Sequence, residues 1–280
     1  MMQLPTILVD EVIRTALKED INYLDATTDY MIDEDQISSA RFLAKADGVL
    51  CGMDIALRVF ELLDGGFALE RFFADGDPVK KGDVLATVRG NTRFLLKGER
   101  TALNLLQHLS GIATETARCV ALVEGTGASI ADTRKTLPGL RAMQKYAVTC
   151  GGGKNHRFNL SDAAMLKDNH IDAAGGILPA VERLRGRLGH TVKIEVETRN
   201  LAEVEQAVQS GAEIIMLDNM DCDTMRRAVE LVAGRALTEA SGGITSETLR
   251  PVAETGVDII SIGALTHSVK AFDISLKIIK

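Results

Sequence analysis

From residue 128 onward the chain repeats one phrase: a short apolar run followed by a helix-like segment. The runs fall at residues 128–131, 163–166, 192–196, 214–217, 236–237 and 259–262. Strands that alternate with helices are parallel, because each helical crossover returns the chain to the same end of the sheet. The spacing of the last four runs fits a (β/α) barrel better than an open sheet with long excursions. A complete barrel has about eight strands, and this rhythm supplies six. The barrel is therefore expected to be open or irregular.

The first part of the chain has a different pattern. Residues 8–18 place apolar side chains at helical spacing, and a polar, turn-like segment with Asp25, Thr27 and Thr28 comes next. Between residues 36 and 97 short β-type runs appear, at 40–44, 67–73, 83–88 and 92–96. They are punctuated by Gly76-Asp77-Pro78 and Lys81-Gly82-Asp83. Residues 75–83 could suggest a biotinyl or lipoyl carrier, but the acceptor lysine on a hairpin tip flanked by methionines is absent. Structural turns in a small α/β domain account for them. A long connecting helix is expected from Glu99, with Arg100 at its start, where the helix dipole does not favour a cation.

The residues just after each run from 128 onward carry the chemistry. The six segments are Asp132-Thr133-Arg134-Lys135, Lys167-Asp168-Asn169-His170, Glu197, Asp218-Asn219, Glu239 with Ser241-Gly242-Gly243, and Gly263-Ala264. In barrels the active site forms where the C-terminal ends of the strands meet. Asp, Asn and Ser at such positions also cap helices, but Lys, Arg and Glu cap poorly. Capping alone does not explain all six.

Charge points the same way. Residues 132–167 hold seven cations (Arg134, Lys135, Arg141, Lys145, Lys154, Arg157, Lys167) against Asp132 and Asp162, a local balance of 7 − 2 = +5. The whole chain carries −7, so the remainder carries −7 − 5 = −12. A cationic island on an acidic chain suits a cleft that focuses its field on a small, multiply charged anion, not a nucleic-acid surface. No apolar run approaches the ~18 residues of a membrane span, and the N-terminus lacks the order of a secretory signal. Four scattered cysteines suggest reduced thiols in the cytoplasm, and the five histidines lack metal-ligand spacing.

The candidate residues divide by chemistry. Ser241-Gly242-Gly243 and Gly263-Ala264 come after the last two strands, where barrels commonly hold a phosphate with backbone N–H groups. Lys135 and Lys167 are point charges suited to phosphate or pyrophosphate, while Arg134 and Arg157 can grip carboxylates with two parallel hydrogen bonds. Glu197 and Asp218 can take sugar hydroxyls or a Mg²⁺ that bridges phosphates. A ligand with phosphates, a sugar and carboxylates is implied, and no nucleophile is paired with a base.

These residues carry a resemblance to a known family. Arg100-Thr101-Ala102-Leu103-Asn104, the stretch from Asp132 to Arg141, Cys150-Gly151-Gly152-Gly153, Asn155-His156-Arg157, Leu166-Lys167-Asp168-Asn169-His170, Glu195-Val196-Glu197, Met216-Leu217-Asp218-Asn219, Glu239-Ala240-Ser241-Gly242-Gly243-Ile244 and the segment from Gly263 to Ser268 occur in order. Together they resemble the decarboxylating quinolinate phosphoribosyltransferases. Leu24, Leu137 and Asn159 depart from the usual Gly, Thr and Gly of that family, and none of them replaces a charged site residue.

The resemblance implies an N-terminal α/β sandwich, residues 1–110 joined by 268–280, and an open α/β barrel over 111–267. It implies transfer of phosphoribosyl from phosphoribosyl pyrophosphate to quinolinate, with loss of CO₂, in the presence of Mg²⁺. It also implies a homodimer whose subunits share active sites. By that likeness Arg100, Arg134, His156 and Arg157 hold the two carboxylates of quinolinate, Thr133 is a further substrate-binding residue, and Lys135 and Lys167 serve the pyrophosphate. Glu197 and Asp218 serve the ribose or metal, and the two glycine segments hold the 5′-phosphate. Three other readings stay open: a molybdate-transport paralogue, a nicotinate-using phosphoribosyltransferase, and a non-catalytic ligand sensor on the same scaffold.

Overall fold

A computed structural model describes residues 4–63 and 66–279; the expected divisions also touch residues 1–3, 64–65 and 280, which lie outside the described residues. The chain opens with α1 (Thr6–Asp20), α2 (Thr28–Met31), β1 (Ile37–Ala44), β2 (Gly48–Val49), α3 (Met53–Leu63), β3 (Phe67–Arg71), β4 (Pro78–Val79), β5 (Val84–Asn91) and the long α4 (Thr92–Leu122). The repeating part begins with β6 (Ser129–Ala131), α5 (Arg141–Cys150), β7 (Ala164–Leu166), α6 (Asp168–Ala174), α7 (Ile177–Arg185), β8 (Ile194–Thr198) and α8 (Leu201–Gln209). It continues through β9 (Ile214–Asp218), α9 (Cys222–Val232), β10 (Leu237–Ser241), α10 (Leu249–Ala253), β11 (Ile259–Ser261) and α11 (Ala264–His267), and the chain closes with β12 (Ile274–Ile279).

The chain divides into two compact units. The first comprises Met1–Ala117, Thr136–Gly152 and Leu265–Lys280. Its main sheet has the order β12-β1-β5-β3, antiparallel throughout, with Phe42 opposite Leu276 and Ala86. Ala40, Phe42 and Ala44 are fully buried while Arg41 between them is exposed, the period-two pattern of a strand with one covered face. Phe42 meets Phe60 of α3, and Phe60 meets Phe67, each pair with ring centroids 6.3 Å apart. Burial of the Phe42 and Phe60 rings contributes about 1.5–3 kcal/mol each.

One expected strand is a helix. Thr92-Arg93-Phe94-Leu95-Leu96 reads as β-type by composition, yet α4 begins at Thr92. Asn91 decides it: its side-chain oxygen accepts the N–H of Arg93 at 2.9 Å and of Phe94 at 3.4 Å, satisfying donors that a helix start leaves open. Consequently Arg100 sits in the third turn of α4, exposed, and not at its N-terminus, so the dipole gives no reason to single it out.

The second unit comprises Arg118–Lys135 and Gly153–Ala264. Its sheet has the order β6-β11-β10-β9-β8-β7, parallel at every pairing. The six strands fall on or beside the six apolar runs of the sequence. β6 and β7 are the edges of this sheet and are not paired with each other.

Candidate active site

Strand register places the site. Met216 of β9 lies in register with Glu197 of β8 on one side and Glu239 of β10 on the other. In-register neighbours project to the same face, and every second residue joins them. One face therefore carries Glu195, Glu197, Met216, Asp218, Glu239, Ser241 and Ser261. The opposite face carries Val196, Ile215, Leu217, Ala240 and Ile260, all fully buried, and helices such as α8 and α9 pack against the sheet. Polar chemistry is gathered on one side of an otherwise apolar sheet.

The helices after these strands have their own caps. Asn200 accepts the N–H of Glu203 at 3.0 Å to start α8, and Asp221 accepts that of Thr224 at 2.8 Å to start α9. Glu197 and Asp218 are thereby free of a capping role. Lys167 holds the N-cap position of α6, but its ammonium reaches across to the adjacent strand and donates to Glu197 at 2.7 Å. Lys167 is about half exposed, so the pair adds little to stability. Its value lies in holding opposite charges side by side at the strand ends. Asp218 accepts a hydrogen bond from the side-chain amide of Asn219 at 2.9 Å.

The loop after β6 brings in the cations. Lys154 donates to Ile130 and accepts from Asp132, extending the sheet by one bridge to Ala131. Thr133 accepts the N–H of Lys135 at 3.0 Å, which closes a tight turn around Arg134. The Nε of Arg134 is buried without a hydrogen-bond partner. Arg157 donates to the Ala163 carbonyl at 3.0 Å and to the Met165 sulfur at 3.3 Å. Burial, and then the Arg134 charge beside it, lower the Arg157 pKa from its ordinary value, although a guanidinium stays charged in water's pH range. Two guanidinium groups that sense each other's charge make this segment suited to an anion. Arg141 and Lys145 belong instead to α5 in the first unit, where Arg141 bonds to Thr136 and Lys145 is wholly buried. The seven cations of the sequence island are thus divided between the two units.

The glycine segment after β10 needs its glycines. Gly242 has φ +92° and Gly243 φ +60°, both in the left-handed region. A Cβ on Gly242 would lie 2.3 Å from the side-chain oxygen of Asn219. Asn219, itself left-handed at φ +53°, donates its backbone N–H to Ser241 at 2.9 Å and so extends the ladder past Asp218. Gly263 and Ala264 come after β11 at the same ends of the sheet, and Ala264 opens α11.

Beneath this surface lies a cluster whose two acids sequence reasoning left without a role. His156 Nε2 is 3.1 Å from Glu195 and 3.6 Å from Glu239. Both glutamates are almost completely buried. Neither Glu195 oxygen, nor Oε1 of Glu239, has an aligned hydrogen-bond donor. Burial first, and then the Glu195 charge, push the Glu239 carboxyl up to about 7, while His156 opposes the shift. The sequence does hold a signal for the pair. In Ile194-Glu195-Val196-Glu197 the acids alternate with apolar residues, and Glu239 and Ser241 flank Ala240, a second face that is polar yet covered. His156, Glu195 and Glu239 present ligand atoms within 4.8 Å of one another, as do buried Cys51, Asp75 and Cys150 in the first unit.

The second unit thus brings together Thr133, Arg134, Lys135, His156, Arg157, Lys167, Glu197, Asp218, Ser241, Gly242, Gly243, Gly263 and Ala264, all at or just beyond the C-terminal strand ends, whereas Arg100 lies in the first unit. Residues 112–277 match the family model described as the quinolinate phosphoribosyl transferase C-terminal domain, and residues 25–110 the N-terminal domain of that family. The chain belongs to the quinolinate phosphoribosyl transferase family. Among similar members, a probable nicotinate-nucleotide pyrophosphorylase [carboxylating] of Bacillus subtilis is 46% identical over 93% of this chain and 90% of its own. A chloroplastic nicotinate-nucleotide pyrophosphorylase [carboxylating] of Arabidopsis thaliana is 45% identical over 98% of this chain and 84% of its own. The solved structure of NadC from Streptococcus pyogenes superposes with a TM-score of 0.96 at 41% identity, covering 100% of both chains. Similarity of this extent takes in both units, so the family's α/β first unit and six-stranded parallel sheet are this chain's fold.

Proposed function

We propose that this chain transfers the phosphoribosyl group of phosphoribosyl pyrophosphate to quinolinate, releasing pyrophosphate and CO₂ and leaving nicotinate mononucleotide. This is a pentosyl transfer in the synthesis of pyridine nucleotides, and its full-length relatives carry the matching names. The observation that carries it is the charge layout at the strand ends: Lys167 donates to Glu197 at 2.7 Å, Asp218 ends the adjacent strand, and Arg134 and Arg157 in the loop segments sense one another's charge.

In this reading Arg134 and Arg157 hold the two carboxylates of quinolinate, with Thr133 and His156 beside them. The ring nitrogen attacks the first carbon of the ribose, the carbon–oxygen bond to pyrophosphate breaks, and positive charge develops on the sugar. Glu197 and Asp218 meet that charge, while Lys135 and Lys167 meet the negative charge growing on pyrophosphate. The Lys167–Glu197 pair is already in place, so no reorganisation is needed. After transfer the ring nitrogen is cationic and accepts the electron pair left when the C2–carboxylate bond breaks; C2 then takes a proton. Gly242, Gly243, Gly263 and Ala264 approach the 5′-phosphate through backbone N–H groups, with Ser241 at the strand end.

Magnesium fits the donor set. Glu197 and Asp218 offer hard carboxylate oxygens on neighbouring strand ends, which suits a Mg²⁺ that arrives with the pyrophosphate substrate. Bound there, it would neutralise charge on the pyrophosphate. The reading further takes the enzyme as a homodimer in which Arg100, exposed on α4, serves the neighbouring subunit's site. A refolded mixture of Arg100→Ala and Lys167→Ala subunits should then regain activity in about a quarter of its sites; a mixture no more active than either parent would exclude sharing. A cytoplasmic setting is supported by four free cysteines. No helix among the described residues is long and apolar enough to cross a membrane.

The test of the whole reading is a product assay with each acceptor. Nicotinate mononucleotide should form from quinolinate plus phosphoribosyl pyrophosphate and not from nicotinate. Formation from nicotinate at an equal rate would make the second carboxylate, and with it the paired arginines, irrelevant.

A further inference from the structure

We infer that Glu195 and Glu239 are positioning residues that fix the ring of His156 as its Nε2–H tautomer, and that through this ring they brace Arg157 for the carboxylate it grips. The proton's place is set by geometry. His156 Nδ1 accepts the backbone N–H of Arg157 at 2.8 Å, so Nδ1 carries no hydrogen. The ring hydrogen is therefore on Nε2, the nitrogen that faces Glu195 at 3.1 Å and Glu239 at 3.6 Å. A ring protonated on both nitrogens would present two donors to its surroundings and lose the bond to Arg157.

The same ring sits on a peptide held at every other point. The His156 N–H donates to Asp132 at 2.8 Å. The Arg157 guanidinium is tied to Ala163 and to Met165, and Met165 is the register partner of Glu195 on the adjacent strand. Glu195 thus touches the arrangement twice, through the ring and through the neighbouring strand. The Glu239 carboxyl, raised by burial and by the Glu195 charge beside it, keeps its proton more readily than an exposed glutamate. The groups that face Glu239 are Glu195 on β8, His156 and Asp132 from the segments after β6, and Ser261 on β11.

The inference deepens the quinolinate reading and rests on it, so its test has one arm that needs no substrate. In ¹⁵N NMR of the ligand-free enzyme, with His156 assigned by loss of its signals in His156→Gln, Nδ1 should give a pyridine-type shift and Nε2 a pyrrole-type shift at pH 7. In turnover assays Glu239→Ala should raise the KM for quinolinate about tenfold, because the ring loses one of the two buried carboxyl groups that face its Nε2. The KM for phosphoribosyl pyrophosphate should stay within about twofold, because the pyrophosphate side does not depend on this ring. Glu239→Gln, which mimics the protonated acid, should restore the quinolinate KM to within about threefold of the parent. Should Glu239→Ala fail to fold, the NMR arm and Glu239→Gln decide the matter. A protonated Nδ1, equal changes in both KM values, or one zinc ion per subunit retained by the parent and lost in Glu239→Gln would each overturn the inference. A parent enzyme inactive on quinolinate would instead sink the substrate reading and leave the tautomer result standing.

Discussion

Replacing Gly242 and Gly243 singly by alanine separates two costs that the loop after β10 combines. Both positions have positive φ, and an L-residue there costs about 1–2 kcal/mol. At Gly243, φ +60° is near the ideal left-handed value and the nearest atom to a new Cβ is 3.8 Å away, so alanine should cost about 1 kcal/mol. At Gly242 the Cβ would meet three atoms of the Asn219 side chain at 2.3, 2.5 and 2.8 Å. Asn219 must leave, and its 2.9 Å hydrogen bond to the Asp218 carboxylate goes with it. That adds about 1.5–3 kcal/mol for a bond to a charged group, so the total is roughly 2.5–5 kcal/mol. For a chain of this size each kcal/mol lowers Tm by about 2–4 °C. Gly242→Ala should therefore melt about 5–20 °C below the parent, and Gly243→Ala about 2–4 °C below. With Asp218 released, Gly242→Ala should also raise the KM for phosphoribosyl pyrophosphate more than Gly243→Ala does. Calorimetry and steady-state kinetics on the two variants read both effects. Equal melting temperatures, or a larger loss at Gly243, would refute the steric reasoning.

Other expectations concern charge. Arg157→Lys keeps the cation but loses the planar fork, and should cost roughly 1.5–3 kcal/mol in the quinolinate step; an unchanged quinolinate KM and kcat would remove Arg157 from the carboxylate grip. Glu197→Gln is nearly isosteric and should lower kcat more than it changes the quinolinate KM, whereas an unchanged kcat would leave Glu197 with only its bond to Lys167. Glu239 makes stability depend on pH. Its folded pKa of about 7 lies above the ordinary 4.5, so the folded state binds the proton more tightly. Stability is then highest below pH 4.5, falls as pH rises toward 7 and levels off above it. Denaturant midpoints measured across that window should fall in the parent relative to Glu239→Gln, and parallel curves would show that Glu239 is not the group responsible.

The second unit was largely legible in the sequence because a parallel strand covered on both sides must be apolar on at least one face. Five of the six runs had that signature. The fifth run showed only residues 236–237, since β10 continues through Thr238, Glu239 and Ser241, whose polar side chains broke the pattern. The same fact left Glu195 and Glu239 without a role. An acid alternating with apolar residues reads as the wet face of a strand, and only the sheet's three-dimensional setting puts that face out of water. The pairing of Lys167 with Glu197, 30 residues apart, comes from the adjacency of β7 and β8, which no local pattern records. In the first unit the run at 92–96 misled because its apolar residues suit a strand as well as a helix. A single side chain, Asn91, settled the choice. The cationic island is a different case: a count along the chain cannot tell that Thr136–Gly152 belongs to the other unit.

The most direct measurement uses quinolinate labelled in either carboxylate. With phosphoribosyl pyrophosphate and Mg²⁺ present, label in the 2-carboxylate should leave as CO₂ in step with nicotinate mononucleotide formation, and label in the 3-carboxylate should stay in the product. No CO₂ should appear when phosphoribosyl pyrophosphate is omitted, because only the alkylated ring nitrogen can accept the electron pair. Release of CO₂ without phosphoribosyl pyrophosphate, or nucleotide formation with both labels retained, would contradict the proposed reaction.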